Sequence, residues 1–492
     1  MPESWVNLAE RIGSDLHLEL SGAGGRRAVL IRALRDAVRE GRLAPGTRLP
    51  PYRSLAADLG IARNTVADAY AELVAEGWLT ARQGSGTRVA DRAAPPARTR
   101  VPKRAPTRPA KPAPPAYDLR QGQPDAASFP RTAWLAAARR ALNSAPNEAF
   151  GPGDPQGRVE LRRALAGYLG RARGVRTDPE RIVVCSGFAH ALRLLFGTGG
   201  GGMLRGPSPS SRLRSSRGYP IAVESYGLGF HRSILATAGV RTVPLGLDEK
   251  GARIEELTEG QRVRAVLLTP AHQFPTGGPL HPTRRAAVID WARAGGGGLV
   301  LEDDYDGEFR YDREPVGAVQ GLDSERVVYM GSVSKSLSPG VRLGWLVLPE
   351  HLIDGVLAAK GEREAWASVI DQLTLADLIE SGHYDRHIRR MRQRYRHRRD
   401  QLVEALAAHA PHISPTGVAA GLHAVLELPP GTEQSTAKAA AWQGLALEGL
   451  ADFRHPEATM PAPDGLVVGY STPPEHAYGA ALDALCRALP PG

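Results

Sequence analysis

Lys335 stands in the stretch GSVSKSLSPGVRLGW, directly after the short apolar run Val327 to Met330 and on a turn rich in glycine and serine. A lysine amine can form a Schiff base with an aldehyde cofactor, and Ser332, Ser334 and Arg342 can hold a phosphate dianion. The chain has only six lysines, so one placed at a strand end is informative. A second stretch, LVLEDDYDGEFR, ends the run Leu299 to Glu302 in Asp303-Asp304-Tyr305. A carboxylate there can pair with a protonated pyridine nitrogen and keep the ring an electron sink, while a nearby phenol can donate to a ring oxygen. A third, Ser186-Gly187-Phe188-Ala189, follows the run Ile182 to Cys185 and opens a helix, which makes it an anion site. The three stretches converge on one phosphorylated pyridine aldehyde.

The elements that must position these groups follow from the pattern around them. Beyond Tyr117, helical periodicity alternates with apolar runs at Ile182 to Cys185, Ile221 to Glu224, Ala265 to Thr269, Leu299 to Asp303, Val327 to Met330 and Gly344 to Leu348. Such alternation predicts an α/β unit with a largely parallel sheet and its site at the strand ends.

The first ninety residues read differently. From Arg26, RRAVLIRALRDAVREGRL puts Val29, Leu30, Ala33, Leu34, Ala37 and Val38 on one helical face, stopped at Gly41. Ser54 to Leu59 reads as a short helix ended by Gly60, and Ala62-Arg63-Asn64-Thr65 opens another, Thr65 to Glu76, burying Val66, Ala69, Tyr70 and Leu73. Helix, tight turn, helix is a DNA-reading arrangement. Trp78 to Val89 then alternates as a hairpin with glycines at its tip, where a backbone can approach a duplex closely.

Composition narrows the alternatives. The 492 residues allow two to four domains, and 42% hydrophobic with 23% charged residues is ordinary for a globular chain. No apolar run reaches 18 residues and Met1 to Glu10 has no basic and apolar leader, so a soluble, cytoplasmic protein is expected. Cys185 and Cys486 are too few for a disulfide framework or a four-thiolate zinc site, and no metal is expected. Of the net charge of +10, residues 91–116 carry +6, with eight prolines in 26 residues. That segment reads as a semi-rigid linker, spanning up to roughly 80 Å as polyproline II.

The helix, turn, helix and hairpin succession over residues 25–90 resembles the GntR family of winged-helix transcription regulators. The resemblance implies that Arg53, Arg63, Asn64 and Thr65 meet phosphates and base edges, and that Arg82 with Gly84, Ser85 and Gly86 enters the minor groove. Residues 117–490 resemble fold-type I, pyridoxal 5'-phosphate-dependent aminotransferases. Together the chain looks like a MocR/PdxR-type regulator, an impression reinforced by TPAHQFPTGGPL at 269–280 and HIRRMRQRYRHRRDQL at 387–402. The implied organisation is a winged helix-turn-helix at 1–90, the linker at 91–116 and an aminotransferase-like domain at 117–492. The implied cofactor is pyridoxal 5'-phosphate, with Lys335 as its Schiff-base lysine, Asp303 as the pyridinium partner and Tyr305 as partner of the ring 3-oxygen. Ser186, Gly187, Phe188, Ser332, Ser334 and Arg342 would form the phosphate cup. A homodimer through the large domain, an operator in double-stranded DNA and a small effector, the cofactor or an amino compound, complete the expectation.

Four positions depart from the enzyme pattern. Pro152 replaces a phosphate-reaching tyrosine, Leu228 a ring-stacking aromatic, Phe274 a ring-oxygen asparagine and Leu466 an arginine for the substrate carboxylate. Cofactor capture is thus expected to be retained and turnover lost. The rivals are a working aminotransferase with an appended DNA-binding domain and a repressor whose large domain only dimerises. Arg386 to Arg399, with eight arginines, reads as a solvated helical face or a second DNA-backbone surface. Residues 197–218 read as a low-complexity loop, and Arg454 as a surface arginine or an anion contact.

Overall fold

The computed structural model describes residues 24–82, 86–91, 115–151, 153–197, 220–257, 263–294, 298–311, 316–361 and 367–492. Gly84, Ser85, Pro152, nearly all of the linker at 91–116 and all of the 197–218 loop except Gly197 lie outside them. Contacts divide the chain into two compact units, Met1–Pro112 and Ala113–Gly492. No helix among the described residues is long and apolar enough to cross a membrane.

In the first unit, the helix Arg26–Arg39 buries Val29, Leu30, Ile31, Leu34 and Ala37. The helix Arg63–Ala75 turns Val66, Ala69, Tyr70 and Leu73 into the same small core, at the spacing the sequence predicts. Both of the shorter helical segments begin two residues earlier than expected, as Tyr52–Leu59 and Arg63–Ala75. Pro51 caps the first of them, where its lack of an N–H leaves no donor unsatisfied. Gly60 closes it in the left-handed region at φ 61°. The hairpin pairs Leu79–Arg82 antiparallel to Gly86–Val89, with Leu79 opposite Val89 and Arg82 opposite Gly86.

The second unit is built on a seven-stranded sheet in the order Ile182–Cys185, Gly344–Val347, Val327–Ser332, Leu299–Asp303, Ala265–Leu268, Ile221–Glu224, Thr242–Leu245. Only Gly344–Val347 runs antiparallel to its neighbours; the other pairs are parallel. The apolar runs are continuous because both faces are covered. Ile182 and Val184 face one core with Trp345 and Val347, and Val183 and Cys185 face another with Leu346 and Met330. A smaller antiparallel sheet near the C-terminus holds Gly465–Gly469 against His423–Glu427, with Leu466 opposite Leu426 and fully buried.

The arginine-rich segment presents the expected solvated face with five of its eight arginines and turns others inward. It lies in the 27-residue helix His383–His409, whose Tyr384, Met391 and Tyr395 are buried. Arg398 is also buried, donating to the Tyr470 and Ser471 carbonyls at 3.1 and 3.2 Å and to Glu475 at 3.0 Å. Arg394 reaches Asp125 at 2.8 Å and Glu475 at 2.7 Å. Partners about 75 or more residues away in sequence draw Arg394 and Arg398 inward, while Arg386, Arg389, Arg390, Arg392 and Arg396 stay exposed.

Candidate functional site

The strand ends of the large sheet open onto a cavity of about 270 Å³. Of the nine residues expected around a cofactor, Lys335, Asp303, Tyr305, Gly187, Phe188, Ser332, Ser334 and Arg342 line it, and Ser186 does not. Ser186 instead donates its backbone N–H to Nδ1 of His190 at 3.1 Å, one turn into the helix Phe188–Phe196. Burial, with Lys360, Arg193 and Arg342 nearby, lowers the His190 pKa to about 4, which keeps that nitrogen an acceptor.

Close backbone approach shapes the floor. Gly187, at φ 112°, lies so near Gly344 that a Cβ on Gly344 would sit 2.7 Å from the Gly187 Cα. That contact sets the N-terminus of Phe188–Phe196 against the strand carrying Gly344, and Gly187, Phe188 and Ala189 of that terminus line the cavity. Arg342 is the one non-glycine with positive φ among the described residues, at 57°. Holding a Cβ there costs on the order of 1 kcal/mol, a strain commonly found at ligand sites.

The ionisable groups are displaced toward neutrality. Burial lowers the Lys335 pKa against the opposing pull of Asp303 and Asp306, which favours the nucleophilic amine. Its Nζ donates to the Gly122 carbonyl, and Gly122, at φ 90°, lies so close that a Cβ there would sit 2.7 Å from that nitrogen and displace it. Burial, and then Asp304, push the Asp303 carboxyl well above its ordinary range, while Lys335 pulls it back. Burial with Asp306 and Asp303 raises Tyr305 likewise, so its phenol remains a donor. The Tyr305 hydroxyl is 3.0 Å from Nδ1 of His272, which is also 2.8 Å from Oδ2 of Asp306. Behind Asp303, the neighbouring Asp304 is bound by Arg173 at 2.6 Å and by the Tyr329 hydroxyl at 2.7 Å.

Several lining residues escape a reading of motifs: Gln121, Glu224, His231, Arg232 and Thr269. Glu224 ends the strand Ile221–Glu224, the same signal that marks Asp303, and accepts from the Thr269 hydroxyl at 2.6 Å. Burial pushes it up to about 7. His231 and Arg232 sit on the following helix, Gly229–Thr237, and His231 stacks 4.4 Å from Phe188. No local spacing distinguishes them. Arg454 does not line the cavity; it donates to the Ala458 carbonyl at 2.8 Å and to that of Met460 at 2.6 Å. Of the departures, Leu228 and Phe274 line the wall and Leu466 does not.

In the first unit the expected DNA residues among the described ones are at or near the surface. Arg53, Arg63, Asn64, Arg82 and Gly86 are exposed and Thr65 is half-buried. The Arg63 guanidinium lies 5.3 Å over the Tyr52 ring, which brings the starts of the two helices together. Arg48 is a further cation beside the hairpin, 3.2 Å from where a Gly86 Cβ would be.

A GntR-type winged helix followed by an aminotransferase fold defines a regulator built on an enzyme scaffold. Residues 27–89 match the model of bacterial regulatory proteins of the gntR family, and residues 115–454 match that of aminotransferase class I and II. The chain is 31% identical to the probable rhizopine catabolism regulatory protein MocR of Rhizobium meliloti, over 90% of this chain and 89% of that protein. It is 33% identical to the HTH-type pyridoxine biosynthesis transcriptional regulator PdxR of Corynebacterium glutamicum, over 81% and 82% respectively. The fold is shared with kynurenine aminotransferase of Pyrococcus horikoshii, at TM-score 0.65 and 24% identity over 75% of this chain and 90% of that one. The chain belongs to the MocR/PdxR-type transcriptional regulators of the GntR family, which carry an aminotransferase class I and II domain.

Proposed function

We propose that the chain binds pyridoxal 5'-phosphate in the large-unit cavity and that its occupancy alters DNA binding by the winged helix. What supports the reading above all is that eight residues from three separate stretches, each suited to one part of that cofactor, line one cavity. When bound, the cofactor supplies an electron-sink pyridine ring. Lys335 would offer its amine to the aldehyde, Asp303 its carboxyl group to the ring nitrogen, and Tyr305 its phenol to the ring oxygen. Gly187, Phe188, Ser332, Ser334 and Arg342 would hold the phosphate, with Ser186 fixing the turn. On the DNA side, Arg53, Arg63, Asn64 and Thr65 would meet the major groove and Arg82, Gly84, Ser85 and Gly86 the minor groove.

Control follows by linkage: a ligand that binds one state of the chain better than another shifts the population that binds an operator. The name of the Corynebacterium relative makes genes of vitamin B6 metabolism candidate targets, and amino acid metabolism is the other. The domains would run 1–90, 91–116 and 117–492, in a cytoplasmic homodimer. Exposed Leu135, Leu142, Phe150 and Ile370, on elements that pack together around Ala141, Ala149 and Leu373, offer an apolar face for that dimer.

Lys335→Ala should abolish the visible absorbance of bound pyridoxal phosphate, and footprints on DNA near its own gene should then no longer respond to the cofactor. A borohydride-reducible adduct at another lysine of this variant would refute the assignment. Multiple-turnover transamination at roughly 1 per second or faster would favour the enzyme reading instead.

A further inference from the structure

Behind the cavity wall, three polar side chains meet at one nitrogen. Nδ1 of His272 lies 2.8 Å from Oδ2 of Asp306 and 3.0 Å from the Tyr305 hydroxyl. His272 and Asp306 are buried and do not line the cavity, whereas Tyr305 does. They reach the same point from neighbouring strands: His272 follows Ala265–Leu268 and Asp306 follows Leu299–Asp303.

The valence of each atom fixes the direction of these contacts. A carboxylate only accepts, so the hydrogen between Asp306 and His272 belongs to Nδ1. A ring nitrogen that carries a hydrogen has no lone pair to offer, so the contact to Tyr305 also runs from Nδ1–H, shared between the two oxygens. Tyr305 therefore accepts at this side and keeps its own proton for another acceptor. Burial, with the charges of Asp306, Asp303 and Glu224, holds that proton on the phenol.

The imidazole is locked from behind. Gly421, at φ 73°, packs so closely that a Cβ there would overlap Cε1 of His272 and lie 2.5 Å from Oδ2 of Asp306. The Gly421 carbonyl is held in turn by the hydroxyls of Tyr311 and Tyr470. On the cavity side, Phe274 stands where the enzyme resemblance places an asparagine for the ring oxygen, and its ring meets that of Tyr305 edge-on at 5.8 Å. A phenylalanine has no donor, which leaves that oxygen to Tyr305.

We propose that His272 and Asp306 are positioning residues for the cofactor: they supply a hydrogen to the Tyr305 oxygen from behind and so direct the phenol proton into the cavity, toward the ring oxygen. The inference rests on the cofactor reading above. Without the imidazole, Asp306, which already acts on the phenol, would compete for its proton.

The test is a spectrophotometric pH titration of the full chain saturated with pyridoxal phosphate. A donor on the ring oxygen draws off charge that otherwise holds a proton on the chromophore, so losing it moves the colour change to higher pH. His272→Phe should raise the midpoint by about one pH unit, and Tyr305→Phe by at least as much. With Tyr305→Phe already in place, adding His272→Phe should shift the midpoint no further, because the pair acts through that phenol. His272→Asn, whose amide can donate to both oxygens, should stay near the wild-type midpoint. The other charged and titratable groups of the region are the same in every variant: Asp303, Asp306, Glu224 and Lys335 toward the cavity, and His423 and Arg310 beside His272. Equal shifts with and without Tyr305→Phe would mean that His272 acts by packing or by its own polarity, and that outcome overturns the proposal. So does an unmoved midpoint in His272→Phe, or a His272→Asn midpoint matching that of Tyr305→Phe. The Asn variant decides the question if His272→Phe fails to fold. Absence of cofactor absorbance from the wild-type chain refutes the cofactor reading and this inference with it, whereas its presence with additive shifts refutes the positioning role alone.

Discussion

The two units place charge in opposite ways. In the winged-helix unit, Arg53, Arg63 and Arg82 project into water, and the ion pairs that hold the helices together, such as Arg35 with Glu76, are partly solvated. In the large unit, Lys335, Asp303, Glu224 and Glu302 are withdrawn from water and pushed toward their neutral forms. Exposed cations act at long range on a polyanion and are weakened by salt. Buried groups act only at contact, but there each hydrogen bond counts for more and a missing partner is costly. One chain thus carries an exposed cationic surface and a cavity whose ionisable groups are largely withdrawn from water.

The sharpest way to break this contrast is to compare ion pairs. Asp304→Ala leaves the Arg173 guanidinium, 5% exposed, without its carboxylate and should destabilise the large unit by about 3–5 kcal/mol. Glu76→Ala in the winged helix should cost no more than about 1 kcal/mol. Urea unfolding of both variants measures the difference, and similar losses would erase the distinction. Next comes the surface itself. Arg63→Ala should weaken operator binding by about 1–3 kcal/mol, with a smaller salt slope and no change in cofactor absorbance. Unchanged operator affinity in the Arg53→Ala, Arg63→Ala double variant would remove these residues from the interface.

The smallest effect lies in pH dependence. Burial lowers His423 to about 3 and His190 and His387 to about 4, so their stabilising contribution is complete above about 6.5 and is lost as pH falls toward those values. Glu224 and Glu302, raised to about 7 by burial, contribute with the opposite sign: fully below about 4.5, and lost as pH rises through 7. The large unit should therefore vary little in stability between about pH 4.5 and 6.5 and fall more steeply below. Glu302→Gln removes one opposing group and should steepen the upper range by at most about 1.4 kcal/mol per pH unit. The described part of the winged helix has no histidine to follow suit. Thermal midpoints at stepped pH would show it.

Legibility in the sequence followed the same division. Strands Ile182–Cys185, Ile221–Glu224 and Leu299–Asp303 were readable to the residue, because a strand covered on both faces is a continuous apolar run. Lys335 and Asp303 stood out because strand ends carry chemistry in such sheets. Arg232 did not, because its partners at Phe453 and Arg454 are more than 200 residues away. The Tyr305 to His272 contact crosses 33 residues, and the burial of Arg398 depends on Glu475, 77 residues on. Local spacing reports local structure; a guanidinium's surroundings are set by what the fold brings from afar.

Arg342 has a consequence for how this sequence can change. A glycine there would adopt φ 57° without strain, so selection for thermal stability alone would favour losing the arginine. If Arg342 holds a phosphate as proposed, selection for that contact would oppose the same substitution. Two evolutionary pressures would then meet on one codon, and a lineage drifting to glycine at 342 would give up the proposed contact before any change to its lysine.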